Sequence, residues 1–473
     1  MIFSTQSVSQ NFRLYNQQTQ QWLNHHTLQE FVQHWKVVFV NKNQLCKGHK
    51  IGLGFPLTDI YYFAAVIAAS ELGLQLVVLD VHAHRPGQSD HFPLDLFVSG
   101  LGLSQEKHNY YAALSKQTEY WHVWDTYQLQ DHSSWQPSVN RFAKPADILL
   151  LANSSGTTDR PKTVRLSQQF LCAVANRNQR LWQFDGNVVH VRNLHHGSSL
   201  ATYFMPALMS DQCNGHFVYN FAALNQIPDL AQFCSDYKIN HIQLPTTQSI
   251  DAFLSAAVSH GIVFDNLNLY TLSYINSNWQ ESMIKCHIAS IVSVFGCNET
   301  SGPLFTNTLT ADSQQFDAKT FQCLDNFYQF DFNELDQLVV NHSDLAQPVV
   351  MQDAFQQQGT QFVHLGRNDI TRINDVVVDV FWLLELCRTL GINGQLVVDK
   401  LCEKLYLALW NNLDTEQCAK HLNAVIQERY GNSVCVNQMQ VLDAADFVQG
   451  IKLDHEALRQ FFRNQYEQTS ASC

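Results

Sequence analysis

The sequence predicts an α/β protein, with a large N-terminal domain of β-α-β units on mostly parallel sheets and a small α+β C-terminal domain. Three observations carry this reading. From Lys50 onward, short β-rich runs alternate with helical patterns, the rhythm that lays helices on parallel sheets. The 473 residues exceed what one hydrophobic core usually organises, so more than one domain is expected. Past Gly366 the alternation gives way to a different helix and strand pattern of roughly a hundred residues, a usual domain size. The expected division is 1–366 and 367–473.

The elements follow in order. KIGLGF from Lys50 reads as a strand, Thr58 caps a helix through DIYYFAAVIAASEL, Gly73 ends it, and LQLVVLD is the next strand. ADILLLAN is a strand, QQFLCAVANRNQRL a helix capped by Ser167, and NVVHVRN a strand. LAQFCSDYK then precedes the strand INHIQL, and TTQSIDAFLSAAVSHG precedes LNLYTLSYI. In the C-terminal part, VVDVFWLLELCRTL is a helix closing on Gly391 and EKLYLALW is a strand. TEQCAKHLNAVIQERYG is an amphipathic helix stopped by Gly431, VCVNQMQVL is a strand, and a loop carrying Lys452 follows.

Composition narrows the function. Lys and Arg number 29 against 42 Asp and Glu, a net charge of −13, and no basic run could track a phosphate backbone, so nucleic acid is not an expected partner. The amino terminus lacks the pattern of a secretory signal. The most apolar stretch, from Ile60, is interrupted by Ser70, Glu71, Gly73 and Gln75, too broken to span a bilayer. A cytoplasmic location without a membrane span is the expectation. The 12 cysteines include no C-x-x-C pair, which argues against zinc and a disulfide framework. The 21 histidines include His82 and His84, but no second cluster at ligand spacing accompanies that pair.

The segment NSSGTTDRPKTVRLS, Asn153 to Ser167, lies one residue away from the P-loop pattern G-x-x-x-x-G-K-[ST], with Pro161 in place of the second glycine. A P-loop lysine opens a helix whose N–H groups hold phosphates. Pro161 has no N–H to give, and TVRLS after Lys162 alternates like a strand. The loop therefore joins two strands, and a Walker-type kinase or GTPase is excluded.

SSGTTDRPKTV instead resembles the phosphate loop [ST]-S-G-[ST]-T-G-x-P-K of the adenylate-forming superfamily, which comprises acyl- and aryl-CoA synthetases, luciferases and peptide-synthetase adenylation domains. The resemblance implies that Ser154, Ser155, Gly156, Thr157 and Thr158 cradle the phosphates of ATP and that Lys162 adds a point charge. Four further landmarks stand in the family's order. VFGCNETSG resembles [YF]-G-x-T-E: Phe295 would stack on adenine, Asn298 stands where threonine is usual, and Glu299 would be an oxygen ligand for Mg²⁺. Asp353 lies where an aspartate grips the ribose hydroxyls. Gly366-Arg367 resembles the G-R-x-D junction, with Arg367 on ribose or phosphate and Asp369 as the hinge of a mobile C-terminal domain. FVQGIKLDHEAL resembles the terminal G-K-[IV]-D motif, which makes Lys452 the catalytic lysine. Singly, each residue has a plain structural reading, as core ring, loop charge, turn residue or surface lysine. The joint order over nearly the whole chain argues for the family.

The chemistry implied by the resemblance is attack of a small carboxylic acid on the α-phosphorus of ATP, giving an acyl-adenylate and pyrophosphate. A domain rotation and thiol attack follow. In NLHHGSSLATYF, His195-His196 replaces the Phe-Asp pair of amino-acid-activating members and disfavours a free amino acid; a strand-end role and a substrate-pocket role both remain open for these histidines. Asp159 replaces a loop glycine, the glycines of the adenine-side motif are absent from YINSNW, and Asp375 replaces a glycine of the pantetheine tunnel. The last change disfavours free CoA and leaves the pantetheine arm of an acyl carrier protein as acceptor. The alternatives carried forward are a degenerate nucleotide or acyl-adenylate binder, and a ligase with an amine or hydroxyl acceptor.

Overall fold

The computed structural model describes residues 1–16, 20–54, 60–79, 93–100, 103–121, 143–153, 163–191, 199–219, 226–244, 246–313, 316–333, 337–345, 347–367, 370–373, 376–392, 394–399, 404–410, 415–431, 434–449, 452–453 and 455–471. They form two compact units. The first comprises Met1–Phe330, Val340–Val349 and Gly359–Phe362, and the second Asp331–Val339, Val350–Gln358 and Val363–Cys473.

In the first unit the chain opens on a hairpin, β1 (Arg13–Asn16) and β2 (Gln21–Asn24), and a helix α1 (His25–Lys36). It then builds a sheet from β3 (Lys50–Gly54), helix α2 (Ile60–Leu72), β4 (Gln75–Val77), β5 (Leu96–Gly100), α3 (Gln105–Ala113), β6 (Thr118–Trp121), β7 (Ile148–Asn153) and β8 (Thr163–Ser167). The strand order is β6-β5-β3-β4-β7-β8, parallel except for β8. The β3-α2-β4 unit is the one the sequence predicts. Helix α2 is apolar on every side and almost wholly buried, as a helix inside a large core must be. Gly73 ends it at φ +69°, in the left-handed region where a side chain is strained.

Helix α4 (Gln168–Trp182) leads into a second sheet: β9 (Gly186–His190), β10 (Cys213–Val218), α5 (Ile227–Asp236), β11 (Ile239–Gln243), α6 (Thr247–Ser259), β12 (Leu267–Thr271), α7 (Trp279–Lys285), β13 (Ile288–Cys297), β14 (Gly302–Thr310) and β15 (Thr320–Cys323). Their order is β15-β14-β13-β12-β11-β9-β10-β1-β2. All neighbours from β13 to β1 are parallel, whereas β14, β15 and β2 run antiparallel to their partners. Leu230, Phe253 and Leu254 from the helices pack on Ile242, Leu269 and Ile291 from the strands, which closes one face of this sheet.

Strands β16 (Gln329–Phe332), β17 (Gln337–Asn341), β18 (Val349–Gln358) and β19 (Gln361–Arg367) lie side by side in that order. The second unit continues with a hairpin of β20 (Ile370–Ile373) and β21 (Val376–Asp379), then α8 (Val380–Thr389), β22 (Gly394–Asp399), β23 (Lys404–Leu409), α9 (Thr415–Tyr430), β24 (Val436–Val441), the short pair β25 (Val448–Gln449) and β26 (Lys452–Leu453), and α10 (His455–Ala471). Two expectations are corrected here. Residues 377–379 belong to a strand and not to the helix, because the β-branched run pairs with Ile370–Ile373. Lys452 sits on a strand of a two-residue ladder opposite Gln449, not in an open loop. The core of this unit gathers Leu383, Leu396, Leu405, Leu407, Leu422 and Ile426. Asp399, fully buried, accepts from Arg463 Nη2 at 2.7 Å, the charge pairing that burial of a carboxylate requires.

Candidate active site

Strands β7 and β8 pair antiparallel with Asn153 opposite Thr163, so the segment between them connects strand to strand. Helix α4 starts only after β8, where Ser167 Oγ accepts from the Phe170 N–H at 3.2 Å, the N-cap foreseen from sequence. The geometry is incompatible with a Walker loop, whose lysine opens a helix. The loop residues Ser154, Ser155, Gly156, Thr157, Thr158, Asp159 and Lys162 lie outside the described residues, as do His195, His196, Asp369 and Asp375.

At the carboxyl end of β13, where open α/β sheets bind their ligands, the chain makes the tight turn that carries Phe295, Asn298 and Glu299. The β13-β14 ladder is irregular between Phe295 and Gly296. A Cβ on Gly296 would stand 2.3 Å from the carbonyl oxygen of Gly302, so only glycine permits this approach of the two strands. Phe295 is half-buried; its ring lies 6.4 Å from Phe305 at 27° and edge-on to Phe321 at 5.6 Å. These neighbours fix the ring's plane. Ser301, at φ +51°, closes the turn by donating its N–H to the carbonyls of Cys297 and Asn298, at 3.1 and 3.2 Å. Thr300 Oγ1 donates to the Cys297 carbonyl at 3.1 Å. Glu299 and Asn298 are half-buried. Enclosure of the thiol, then the neighbouring Glu299 carboxylate, pushes Cys297 up to about 12, so this cysteine is a neutral structural group.

Behind the turn stands a clamp that sequence reasoning missed. The Arg177 side chain on α4 is 1% exposed; its Nε donates to Asp325 Oδ1 and Oδ2 at 2.9 and 2.8 Å, and its Nη1 donates to the Pro303 carbonyl. Tyr328 Oη donates to the Thr300 carbonyl at 2.8 Å. The Arg177 guanidinium also sits 5.2 and 5.3 Å from the ring centres of Phe327 and Tyr328. The C-terminal side of the Glu299 turn, at the Thr300 and Pro303 carbonyls, is thus tied to buried groups from distant parts of the chain. Burial acts to raise the Asp325 pKa, but the hydrogen bonds and charge of Arg177, with the Phe327 N–H, outweigh it and hold the carboxyl below the usual range.

In the second unit, Asp353 on β18 is buried and accepts from His364 Nε2 at 3.0 Å. Arg367 is the last residue of β19, and Lys452 occupies β26. Among the described residues no group of three or more His, Cys, Asp or Glu side chains could by itself hold a metal ion. A single half-buried carboxylate such as Glu299, completed by substrate phosphates, fits Mg²⁺, which is usually held by one or two carboxylates and substrate. The ten described cysteines form no disulfide, and no helix among the described residues is long and apolar enough to cross a membrane.

The β7-β8 connection and the turn after β13 both follow the carboxyl ends of strands that have parallel neighbours, the place where α/β proteins bind their ligands. The family model for AMP-binding enzymes matches residues 60–321, more than half of the chain, and the protein belongs to that family of adenylate-forming enzymes. No curated protein sequence matches it. Among solved structures the chain is similar to McyG A-PCP complexed with phenylalanyl-adenylate, at 13% identity, TM-score 0.71, covering 99% of this chain and 97% of that one. It is similar to ATP-bound MatB from Rhodopseudomonas palustris at 13% identity, TM-score 0.69, with 96% and 97% covered. It is also similar to fatty acyl-adenylate ligases from E. coli and L. pneumophila at 13% identity, TM-score 0.66, with 100% and 99% covered. At these identities the likeness establishes the α/β fold.

Proposed function

We propose that the protein activates a non-amino carboxylic acid, acyl or aryl, with ATP, and then transfers it to a pantetheine thiol, on a carrier protein in preference to free CoA. In the first step a carboxylate oxygen attacks the α-phosphorus, the bond from that phosphorus to the bridging oxygen breaks, and pyrophosphate leaves. In the second the thiolate attacks the acyl carbon and AMP leaves. The observation that carries the reading is the Phe295–Glu299 segment: a ring packed on Phe321 and a carboxylate four residues later, followed by Thr300 and Pro303, whose carbonyls are held by Tyr328 and Arg177. Substrate carboxylate and triphosphate repel each other, so positioning and charge neutralisation do the catalysis.

In this assignment Phe295 packs on adenine, Asp353 holds the ribose hydroxyls and Arg367 the ribose or phosphate. The 154–162 loop with Lys162 receives the β- and γ-phosphates, and Asn298 donates its amide to a phosphate oxygen. Glu299 would hold Mg²⁺, which supplies charge neutralisation when bound. Lys452 bridges carboxylate and α-phosphate, His195 and His196 border the acid, and Asp369 is the hinge between a 1–366 domain and a 367–473 lid. The similarity to an A-PCP protein complexed with phenylalanyl-adenylate and to fatty acyl-adenylate ligases supports adenylation and a carrier acceptor.

The test is ATP–pyrophosphate exchange with pools of carboxylic acids, wild type against Lys452→Ala. Exchange should require an acid and collapse in the variant while ATP binding persists. A second reading, a nucleotide binder without turnover, is favoured by Asp159 and by the missing glycines of YINSNW. It predicts an ATP-induced rise in melting temperature with no exchange in any pool. A ligase with an amine or hydroxyl acceptor would be distinguished by product mass.

A further inference from the structure

Strands β18 and β19 hold an acid–imidazole pair to which the proposed chemistry assigns only one member. Along β19 the buried positions alternate: Phe362 and His364 are 2% and 3% exposed, while Leu365 is 52% exposed. His364 thus occupies a core position of its strand. Its Nε2 donates to Asp353 Oδ1 at 3.0 Å, and the Phe355 ring, two residues beyond Asp353, lies 4.8 Å from the imidazole. The imidazole is enclosed, whereas the Asp353 side chain keeps 12% of its surface exposed. The Asp353 Oδ1 is therefore held by an enclosed donor, while part of the Asp353 side chain reaches the surface.

We propose that His364 is a positioning residue for nucleotide ribose recognition. By fixing Oδ1 it holds the Asp353 carboxylate in one rotamer for contact with the 2′- and 3′-hydroxyls, so that binding requires no reordering of that side chain. This rests on the reading of Asp353 as a ribose ligand. Phe355 makes the arrangement stiffer than a surface His–Asp pair, because the imidazole cannot swing away without leaving its packed site.

The experiment measures dissociation constants for ATP, 2′-deoxy-ATP and 3′-deoxy-ATP, and the KM and kcat for ATP in pyrophosphate exchange, for wild type, His364→Leu, His364→Gln and Asp353→Asn. His364→Leu should weaken ATP about tenfold, as loss of one charge-assisted hydrogen bond implies, mostly in KM. It should also shrink the preference for ATP over the deoxy nucleotides. Gln imitates Nε2 of histidine, so His364→Gln should restore most of that preference. Should His364→Leu fail to fold, His364→Gln and His364→Asn carry the test: Asn imitates Nδ1, and only the Gln variant should keep the preference. A lowered melting temperature with unchanged ribose preference in His364→Leu overturns the proposal and leaves His364 a core residue. If Asp353→Asn discriminates among the nucleotides as wild type does, the ribose role of Asp353 falls and the proposal with it. If wild type binds ATP without preference among the three, the proposal falls while nucleotide binding stands, and if it binds none of them, the proposed function itself fails.

Discussion

Arg177→Met removes the clamp behind the Glu299 turn while retaining a long apolar side chain in its channel. Wild-type Arg177 is 1% exposed and spends its hydrogen bonds on both oxygens of Asp325 and on the Pro303 carbonyl. Breaking a fully buried ion pair costs about 3–5 kcal/mol, chiefly because the partner charge is left unpaired. Asp325 is 32% exposed and can rehydrate in part, which argues for the lower part of that range. The Pro303 carbonyl, which loses its donor, adds about 1 kcal/mol. The sum is about 3–4 kcal/mol, and at about 2 °C per kcal/mol for a unit of this size the melting temperature should fall by about 6–8 °C. The pH dependence has a definite sign. The Asp325 carboxyl is depressed in the folded protein, so its contribution is fully present above the unfolded carboxylate value of about 3.9 and is lost as pH falls through the lower folded value. The difference between wild type and variant should hold steady from about pH 7 to about pH 4 and narrow below that. Thermal unfolding across that range, together with the KM for ATP in pyrophosphate exchange, tests both parts. An unchanged melting temperature refutes the energetic argument. A lowered one with an unchanged KM refutes the claim that the clamp positions the turn.

Gly296→Ala would drive a Cβ against the Gly302 carbonyl oxygen, a backbone atom that only a shift of the strands can move. The expected cost is about 1–3 kcal/mol, with a larger loss in ATP affinity than in kcat, measured by denaturation and by exchange kinetics. His190 and His216 are buried against each other, Nε2 to Nδ1 at 3.2 Å. Burial drives His216 down to about 3, and burial with the charge of His216 drives His190 well below the usual range. Both stay neutral in the fold, so their stability contribution is complete above the unfolded histidine value of about 6.5 and declines as pH falls, by up to about 1.4 kcal/mol per pH unit for each. His216→Phe, which keeps a ring against Phe12, should roughly halve that slope in denaturation measured between about pH 6 and about pH 4; an unchanged slope would place the acid sensitivity elsewhere. Ser167→Ala should lower stability by about 1 kcal/mol through loss of the α4 cap, read from the melting temperature.

The parts of the fold legible in the sequence are those set by neighbours along the chain. Ser167 announces α4 because an N-cap acts within three residues. Gly73 and Gly431 announce helix ends because a left-handed residue is a local demand, and both lie at positive φ. Pro161 excludes a Walker loop for an equally local reason, and the β7-β8 pairing agrees with that exclusion. The run DVVVDV could not be apportioned between strand and helix, because the pairing of Val376–Asp379 with Ile370–Ile373 decides it. The β1-β2 hairpin reaches the edge of the second sheet by pairing Leu14 with His216, about two hundred residues later, and no local pattern encodes that choice.

The candidate site divides along the same line. Phe295, Glu299, Asp353 and Lys452 are visible as motif residues because their chemistry is written in short segments of the sequence. The residues that hold them are not, since Arg177 and Asp325 lie 148 positions apart and each alone is an unremarkable charge. His364 is the intermediate case. The alternation in QFVHLGR places it on the inward face beside Phe362, and a histidine at a core position of a strand needs a polar partner. That need could have been read from the sequence, but its answer, Asp353 across the neighbouring strand, required the register of β18 and β19. A supporting residue thus becomes legible from sequence when it breaks the pattern of its own element, as His364 does and Arg177 does not. Polar interruptions on the inward faces of the other strands, such as His190, His216 and His241, are therefore where further such partners stand, and His241 bears this out: its Nδ1 lies 3.0 Å from Tyr270 Oη and its Nε2 2.8 Å from the Asp185 carbonyl.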